Sequence, residues 1–146
     1  MGNLKEIEIL LVEDNPNDVE LTLRELRKYN LANKIHVAKD GGEALEYIFS
    51  AAYSGKDMDT KVLLLDLKLP KVDGLEVLQK IKSNHRTNAI AIIMLTSSAE
   101  EKDIVESYEL GVDSYIIKPV DFDKFVRAVS EIGLSWQLLN QSFVEA

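Results

Sequence analysis

The chain has no cysteine, only three prolines, a single tryptophan and no long uncharged apolar run. Without cysteine there are no disulfides and no thiolate metal sites, which is compatible with a cytoplasmic setting. Charge interrupts every apolar run well before the roughly 20 residues of a membrane span, so no spanning helix is expected. The opening segment MGNLKEIEI lacks both the basic flank and the apolar stretch of a signal peptide. Basic charge is scarce too: 17 Lys and Arg face 25 Asp and Glu, for a net charge of −8. A nucleic-acid backbone would repel such a surface, which argues against direct DNA binding. Arg24, Arg27 and Lys28 fall at helical spacing and read as a solvated helix face.

What is present is an ordinary globular composition, 46% hydrophobic and 29% charged over 146 residues. That length suits one domain, residues 1–146, burying roughly 68–70% of its unfolded surface. Short β-branched apolar runs alternate with helical patterns five times, the signature of buried parallel strands with crossover helices. Strands are expected near Ile7–Val12, Lys34–Ala38, Val62–Leu65, Ala91–Leu95 and Ser114–Ile117. Asn15 followed by Pro16 marks the start of a first helix, with Val19, Leu23 and Leu26 facing inward. Asp40 with Glu43, Asp73 with Glu76, and Ser98 with Glu101 have capping-box spacing ahead of the next three helices. Gly111 suits a left-handed helix end, and the fifth helix opens at Asp121. One reversal of winding direction gives a five-stranded parallel sheet, order 2-1-3-4-5, with helices on both faces.

Four of the apolar runs end in chemistry. ILLVED ends in Glu13 and Asp14, VLLLD in Asp66, IAIIMLT in Thr96 and YIIK in Lys118. A parallel sheet gathers the carboxyl ends of its strands along one edge, where open α/β folds place their sites. Three carboxylates brought together there repel one another by on the order of 4 kcal/mol per pair, so counter-charge is required. Lys118 supplies part of it. A hard divalent cation with oxygen ligands supplies the rest, and Mg2+ suits a few carboxylates, waters and phosphate oxygens. A carboxylate can then act as a nucleophile toward phosphorus, with Asp66, at the end of the middle strand, the best placed. Each feature alone has a plainer reading: Asp66 as a turn residue, Glu13–Pro16 as a helix start, Lys118-Pro119 as a turn, and Thr96–Ser98 as a capping cluster. The four together, each ending its own strand, are hard to assemble by chance.

At these residues the chain resembles the receiver domain of two-component response regulators, from about Ile7 to Val129. LVEDN is similar to that family's acidic pair, and LLLDLKLPKVDGLEVL to its phosphoacceptor segment. MLTSSA resembles its hydroxyl switch segment, and GVDSYIIKPVD its aromatic-x-x-Lys-Pro segment. The resemblance implies a flavodoxin-like receiver fold with Asp66 as the phosphoacceptor. It implies that Glu13, Asp14, Asp66 and the backbone carbonyl of Lys68 hold Mg2+. It also implies that Thr96 turns toward the phosphoryl group while Tyr115 rotates into the vacated space, and that Lys118 pairs with the phosphoryl group beside a cis Lys118–Pro119 peptide. A half-exposed strand aromatic is the plainer reading of Tyr115. Lys68 and Ser98, each two positions beyond a key residue, differ from the commonest members and stand where attacking water would approach, so they are expected to modulate phosphoryl lifetime.

The implied function is a cytoplasmic phosphoacceptor signalling protein. It would take its phosphoryl group from a sensor histidine kinase or phosphotransfer protein and pass the signal to a downstream protein partner. It would not be an enzyme beyond self-phosphotransfer and autodephosphorylation, and would carry no output domain. The tail SEIGLSWQLLNQSFVEA extends helix five over about 131–146, and its Gly-Leu-x-Trp pattern resembles stand-alone regulators that partner phytochrome-type sensor kinases. Phe122, Phe125, Val126, Val129, Ile132 and Trp136 keep helical spacing past what a five-stranded core covers, so Trp136, Leu138 and Leu139 either fold back on their own domain or bury against a second copy; a homodimer through helix five and its extension, to which the neighbouring helix-four face could add, is expected. The alternatives are weaker. An aspartate-nucleophile phosphatase-like hydrolase needs a second aspartate where Lys68 stands. A flavin- or nucleotide-binding module would show a Gly- or Ser/Thr-rich loop where EDNPND stands. A non-phosphorylated interaction module would leave the acidic cluster without a role. His36 and His85 have no ligand spacing and read as strand or surface histidines.

Overall fold

The computed structural model describes residues 8–28, 34–97 and 101–131. Five strands and five helices alternate along the chain. The strands are β1 (Glu8–Val12), β2 (Lys34–Ala38), β3 (Lys61–Asp66), β4 (Ala91–Thr96) and β5 (Ser114–Ile117). The helices are α1 (Pro16–Lys28), α2 (Gly41–Tyr53), α3 (Gly74–Lys82), α4 (Glu101–Glu109) and α5 (Phe122–Glu131). The strands form one parallel sheet in the order β2-β1-β3-β4-β5. This is the expected order.

The central strands are buried on both faces, which explains why their sequences are nearly continuous apolar runs. Alternation divides them between two cores. Leu10, Val12, Leu63, Leu65, Ile92 and Met94 pack with α2 and α3 through Ala44, Ile48, Val77, Leu78 and Ile81. Ile9, Leu11, Val62, Leu64, Ile93, Leu95 and Ile116 pack with α1 and α5 through Leu26, Phe125, Ala128 and Val129. Truncating one fully buried member, such as Leu64, to alanine would cost about 2–5 kcal/mol.

Local signals set the helix ends. Asn15 accepts hydrogen bonds from the backbone N–H of Asn17 and Asp18, with Pro16 at the first helical position. Asp40 and Asp73 cap α2 and α3 by accepting from the N–H of Glu43 and Glu76. The Glu43 carboxylate returns a bond to the Lys39 N–H, one residue before the position a capping box uses. Asp121 accepts from the Lys124 N–H at the start of α5. After α4, Gly111 takes φ +99°, the N–H of Val112 reaches the Ser107 carbonyl and that of Gly111 the Tyr108 carbonyl, closing the helix. Among the described residues, β3 and β4 each run one residue past their expected ends, and β3 also begins one residue earlier; the added end residues, Asp66 and Thr96, are paired in the ladder. Ile7, Ser98 and residues beyond Glu131 lie outside the described residues, so the Ser98 cap and the helix-five extension do too.

Candidate functional site

Strand alternation decides which side chains meet at the carboxyl edge. Glu13 continues the face of Leu11, Asp66 that of Leu64 and Lys118 that of Ile116, all three being α1/α5-facing positions. Thr96 continues the opposite face with Met94. Backbone bonds carry the edge past the strands: Leu67 N–H donates to the Leu95 carbonyl, and Lys118 N–H to the Thr96 carbonyl at 2.7 Å. Four separate segments are thereby fixed side by side.

Lys118 is the hub. Its Nζ lies 2.6 Å from Glu13 Oε1, 3.1 Å from Asp66 Oδ2 and 3.1 Å from Asp18 Oδ2. Glu13 is 2% exposed and Asp66 6%. Burial and the facing Asp66 push the Glu13 carboxyl up to about 7, against the pull of Lys118 and the Asn15 N–H. Burial works against the Lys118 charge, but Glu13, Asp66 and Asp18 outweigh it and hold the ammonium well above the ordinary lysine range. The remaining Glu13 oxygen accepts from the Asn15 N–H at 3.1 Å, and Asp66 Oδ1 accepts from the Lys68 N–H at 3.2 Å.

Glu13, Asp14 and Asp66 each offer a carboxylate oxygen, and these lie within 4.8 Å of one another. Three carboxylates against one lysine leave excess negative charge in a partly buried edge, and Glu13 is raised first by its burial and then by the facing Asp66. An all-oxygen donor set of this kind fits a hard divalent cation. A cavity of about 240 Å³ opens over the cluster, walled by Asp14, Asp18, Asp66, Lys68, Thr96 and Lys118. A larger, more open depression of about 400 Å³ lies along α2, lined by Glu43, Tyr47 and Ser50 together with His36 of β2 and Lys56 beyond the helix, and shares no residue with this cavity.

Thr96 is buried at the cavity wall, while the Lys68 and Ser97 side chains reach its mouth exposed to solvent. Ser98 lies outside the described residues. Tyr115 pairs with Met94 and Ile117 with Thr96, so Thr96 and Tyr115 are diagonal neighbours on one face. The Tyr115 ring is 37% exposed and stands edge-on to Tyr108, centroids 6.3 Å apart. The Lys118–Pro119 peptide is cis. His36 stacks on Tyr47 at 4.2 Å, a strand histidine far from the cluster. Asp18 is the one site residue that sequence reasoning passed over. An acid in the first turn of a helix reads as a dipole partner, yet here its carboxylate reaches Lys118 and walls the cavity.

The sequence profile described as the response regulator receiver domain matches residues 9–130. The chain belongs to that family. Among solved structures, this receiver is similar to the bacteriophytochrome response regulator AtBRR: 52% identity, TM-score 0.81, covering 94% of this chain and 99% of that one. The curated relatives include the probable methanogenesis regulatory protein FilR2 of Methanothrix harundinacea, 40% identical over 92% of this chain and 86% of that protein. Response regulator Rcp1 of Synechocystis is 34% identical over 88% of this chain and 87% of that protein. A Mn2+-bound form of Rcp1 has been solved, and this receiver matches it with 33% identity and a TM-score of 0.67, covering 89% of this chain and 94% of that one. The receiver is thus a phosphoacceptor signalling protein of two-component type, and the phosphatase-like alternative is not favoured.

Proposed function

We propose that Asp66 is the phosphoacceptor and that Glu13, Asp14, Asp66 and the Lys68 carbonyl hold a Mg2+ ion during transfer. The observation that carries this reading is the convergence of Asp66 with two further carboxylates and a lysine in one cavity. An Asp66 carboxylate oxygen attacks the phosphorus of a kinase phosphohistidine. The new P–O bond forms as the P–N bond breaks, and the electron pair returns to the imidazole nitrogen. The bound divalent ion supplies charge neutralisation for the transferring oxygens. Lys118 pairs with one phosphoryl oxygen, and the Thr96 hydroxyl donates to another. Lys68, exposed at the cavity mouth, stands at the approach of water and, with Ser98 two positions after Thr96 in sequence, sets how long the acyl phosphate lasts.

The output is a change of surface. When Thr96 turns toward the phosphoryl group, its diagonal neighbour Tyr115 moves inward from its exposed position, altering the face formed by α4, β5 and α5. The donor is a sensor histidine kinase of phytochrome type or its phosphotransfer protein, and the recipient a downstream protein partner, with no DNA contact. The protein works in the cytoplasm and catalyses only its own phosphotransfer and dephosphorylation; among the described residues, no helix is long and apolar enough to cross a membrane. Incubation with acetyl phosphate, with and without Mg2+, tests this by intact mass. Wild type should gain one phosphoryl group only with Mg2+, and Asp66→Asn none. Equal uptake by both proteins contradicts the assignment.

The same surface supports assembly. Phe125 and Val129 bury within the chain, with Phe122 packed against them, while the apolar stripe of α5 continues in sequence to Ile132, Trp136, Leu138 and Leu139. An apolar stripe longer than its own core can cover suits a partner surface with Trp as an anchor. A homodimer through α5, its extension and the α4 face follows. Light scattering should show a dimer for the full chain and a monomer after truncation at Gly133. A monomeric full chain at tens of micromolar, with phosphoryl present, contradicts it.

A further inference from the structure

Resting on the phosphoacceptor reading of Asp66, we infer that Asp18 is a positioning residue that occupies a Lys118 donor the phosphoryl group needs and so slows phosphorylation.

A lysine ammonium has three N–H donors and no more. Those of Lys118 face three carboxylates, Glu13 at 2.6 Å, Asp66 at 3.1 Å and Asp18 at 3.1 Å. A phosphoryl oxygen on Asp66 needs one of these donors, so one contact must be surrendered. Water does not replace the lysine at Glu13 as easily as at Asp18, because the Glu13 side chain is 2% exposed and its second oxygen accepts from the Asn15 N–H. Asp66 carries the incoming group. Asp18 is the remaining partner, and its side chain is 37% exposed, so water replaces the lysine there at least cost. Asp18 also sets a fourth negative charge on the wall of the cavity that a phosphoryl group enters. Its two effects act in one direction: it occupies the cation that must turn to the phosphoryl oxygens, and it repels them. Loss of its charge should speed transfer to Asp66.

Asp18→Asn tests this with two readouts. In the metal-free protein, exchange of the Lys118 Nζ protons with water, followed by nitrogen-15 NMR, should accelerate about fivefold, the ratio that loss of a partly exposed ion pair gives. With acetyl phosphate and Mg2+, phosphoryl uptake should accelerate about fivefold as well, and Asp18→Glu should return both rates toward wild type. A role confined to starting α1 would lower the melting temperature and leave both rates unchanged, which overturns the inference. Faster proton exchange without faster phosphorylation also overturns it. Wild type that takes up no phosphoryl group on Asp66 contradicts the phosphoacceptor reading instead, and the Lys118 exchange rate then still decides whether Asp18 holds the lysine.

Discussion

Lys118 Nζ sits 2.6 Å from Glu13 Oε1, although 105 residues separate the two in the chain. Strand parity makes this contact, because just past the ends of β1 and β5 both residues continue the α1/α5-facing side, Glu13 after Leu11 and Lys118 after Ile116. The contact ties the acidic pair after β1 to the far edge of the sheet, so a change in charge at one is felt at the other.

Asp14 and Lys118 should behave in opposite ways. Asp14→Ala removes a ligand from the three-carboxylate group and should weaken Mg2+ binding at least about tenfold. Lys118→Ala removes a cation that competes with the metal for Glu13 and Asp66, so it should not weaken Mg2+ binding. It should leave a phosphorylated protein whose Tyr115 ring stays in its unphosphorylated environment. Calorimetric titration and Tyr115 ring NMR check the pair, and the reverse pattern would mean that the roles are exchanged.

The raised Glu13 gives a pH dependence with a definite sign. The folded state holds a proton on Glu13 up to about 7, whereas the unfolded chain releases it near 4.5. Between those values the folded state binds more protons, so this group's contribution to metal-free stability falls as pH rises. A divalent ion binds the ionised form and displaces the proton, so its affinity should rise across the same window. Thermal melts should show a larger upward shift with Mg2+ at about pH 8 than at about pH 5.5. An equal shift at both pH values would show that Glu13 does not gate the ion.

Much of this was legible in the sequence, for physical reasons. Buried parallel strands need unbroken apolar runs, so VLLLD and AIIMLT announced themselves, and the polar residue ending each run was where the ladder stopped. Asp66 and Thr96 were harder to place, because backbone pairing does not depend on side-chain polarity and carried both strands one residue further. That Thr96 continues the sheet face opposite to that of Glu13 and Lys118 follows from strand parity, which runs apolar on both faces do not reveal. Asp18 could not be recognised, since an acid in a first helical turn serves the helix dipole whether or not a lysine lies across from it. The reciprocal bond of Glu43 to Lys39 rather than Asp40 depends on a side-chain rotamer, again beyond spacing.

The loop carrying Asp66 is locked against α3 by Gly74. A Cβ there would stand 2.4 Å from the Asp66 carbonyl oxygen and 2.7 Å from that of Leu67. Backbone atoms cannot swing aside as a flexible side chain does, so Gly74→Ala should cost about 3 kcal/mol, the upper end of ordinary overpacking. Urea titration should show the loss. A variant as stable as wild type would mean that this loop shifts freely and that Asp66 is not held by its close packing.

The central claim is that Asp66 itself carries the phosphoryl group. After acetyl phosphate and Mg2+ treatment, borohydride reduction converts an aspartyl phosphate to homoserine, which peptide mass spectrometry locates. Homoserine at position 66, and at no other aspartate, is the expected result. Homoserine at Asp14 or elsewhere, with position 66 intact, would contradict the account.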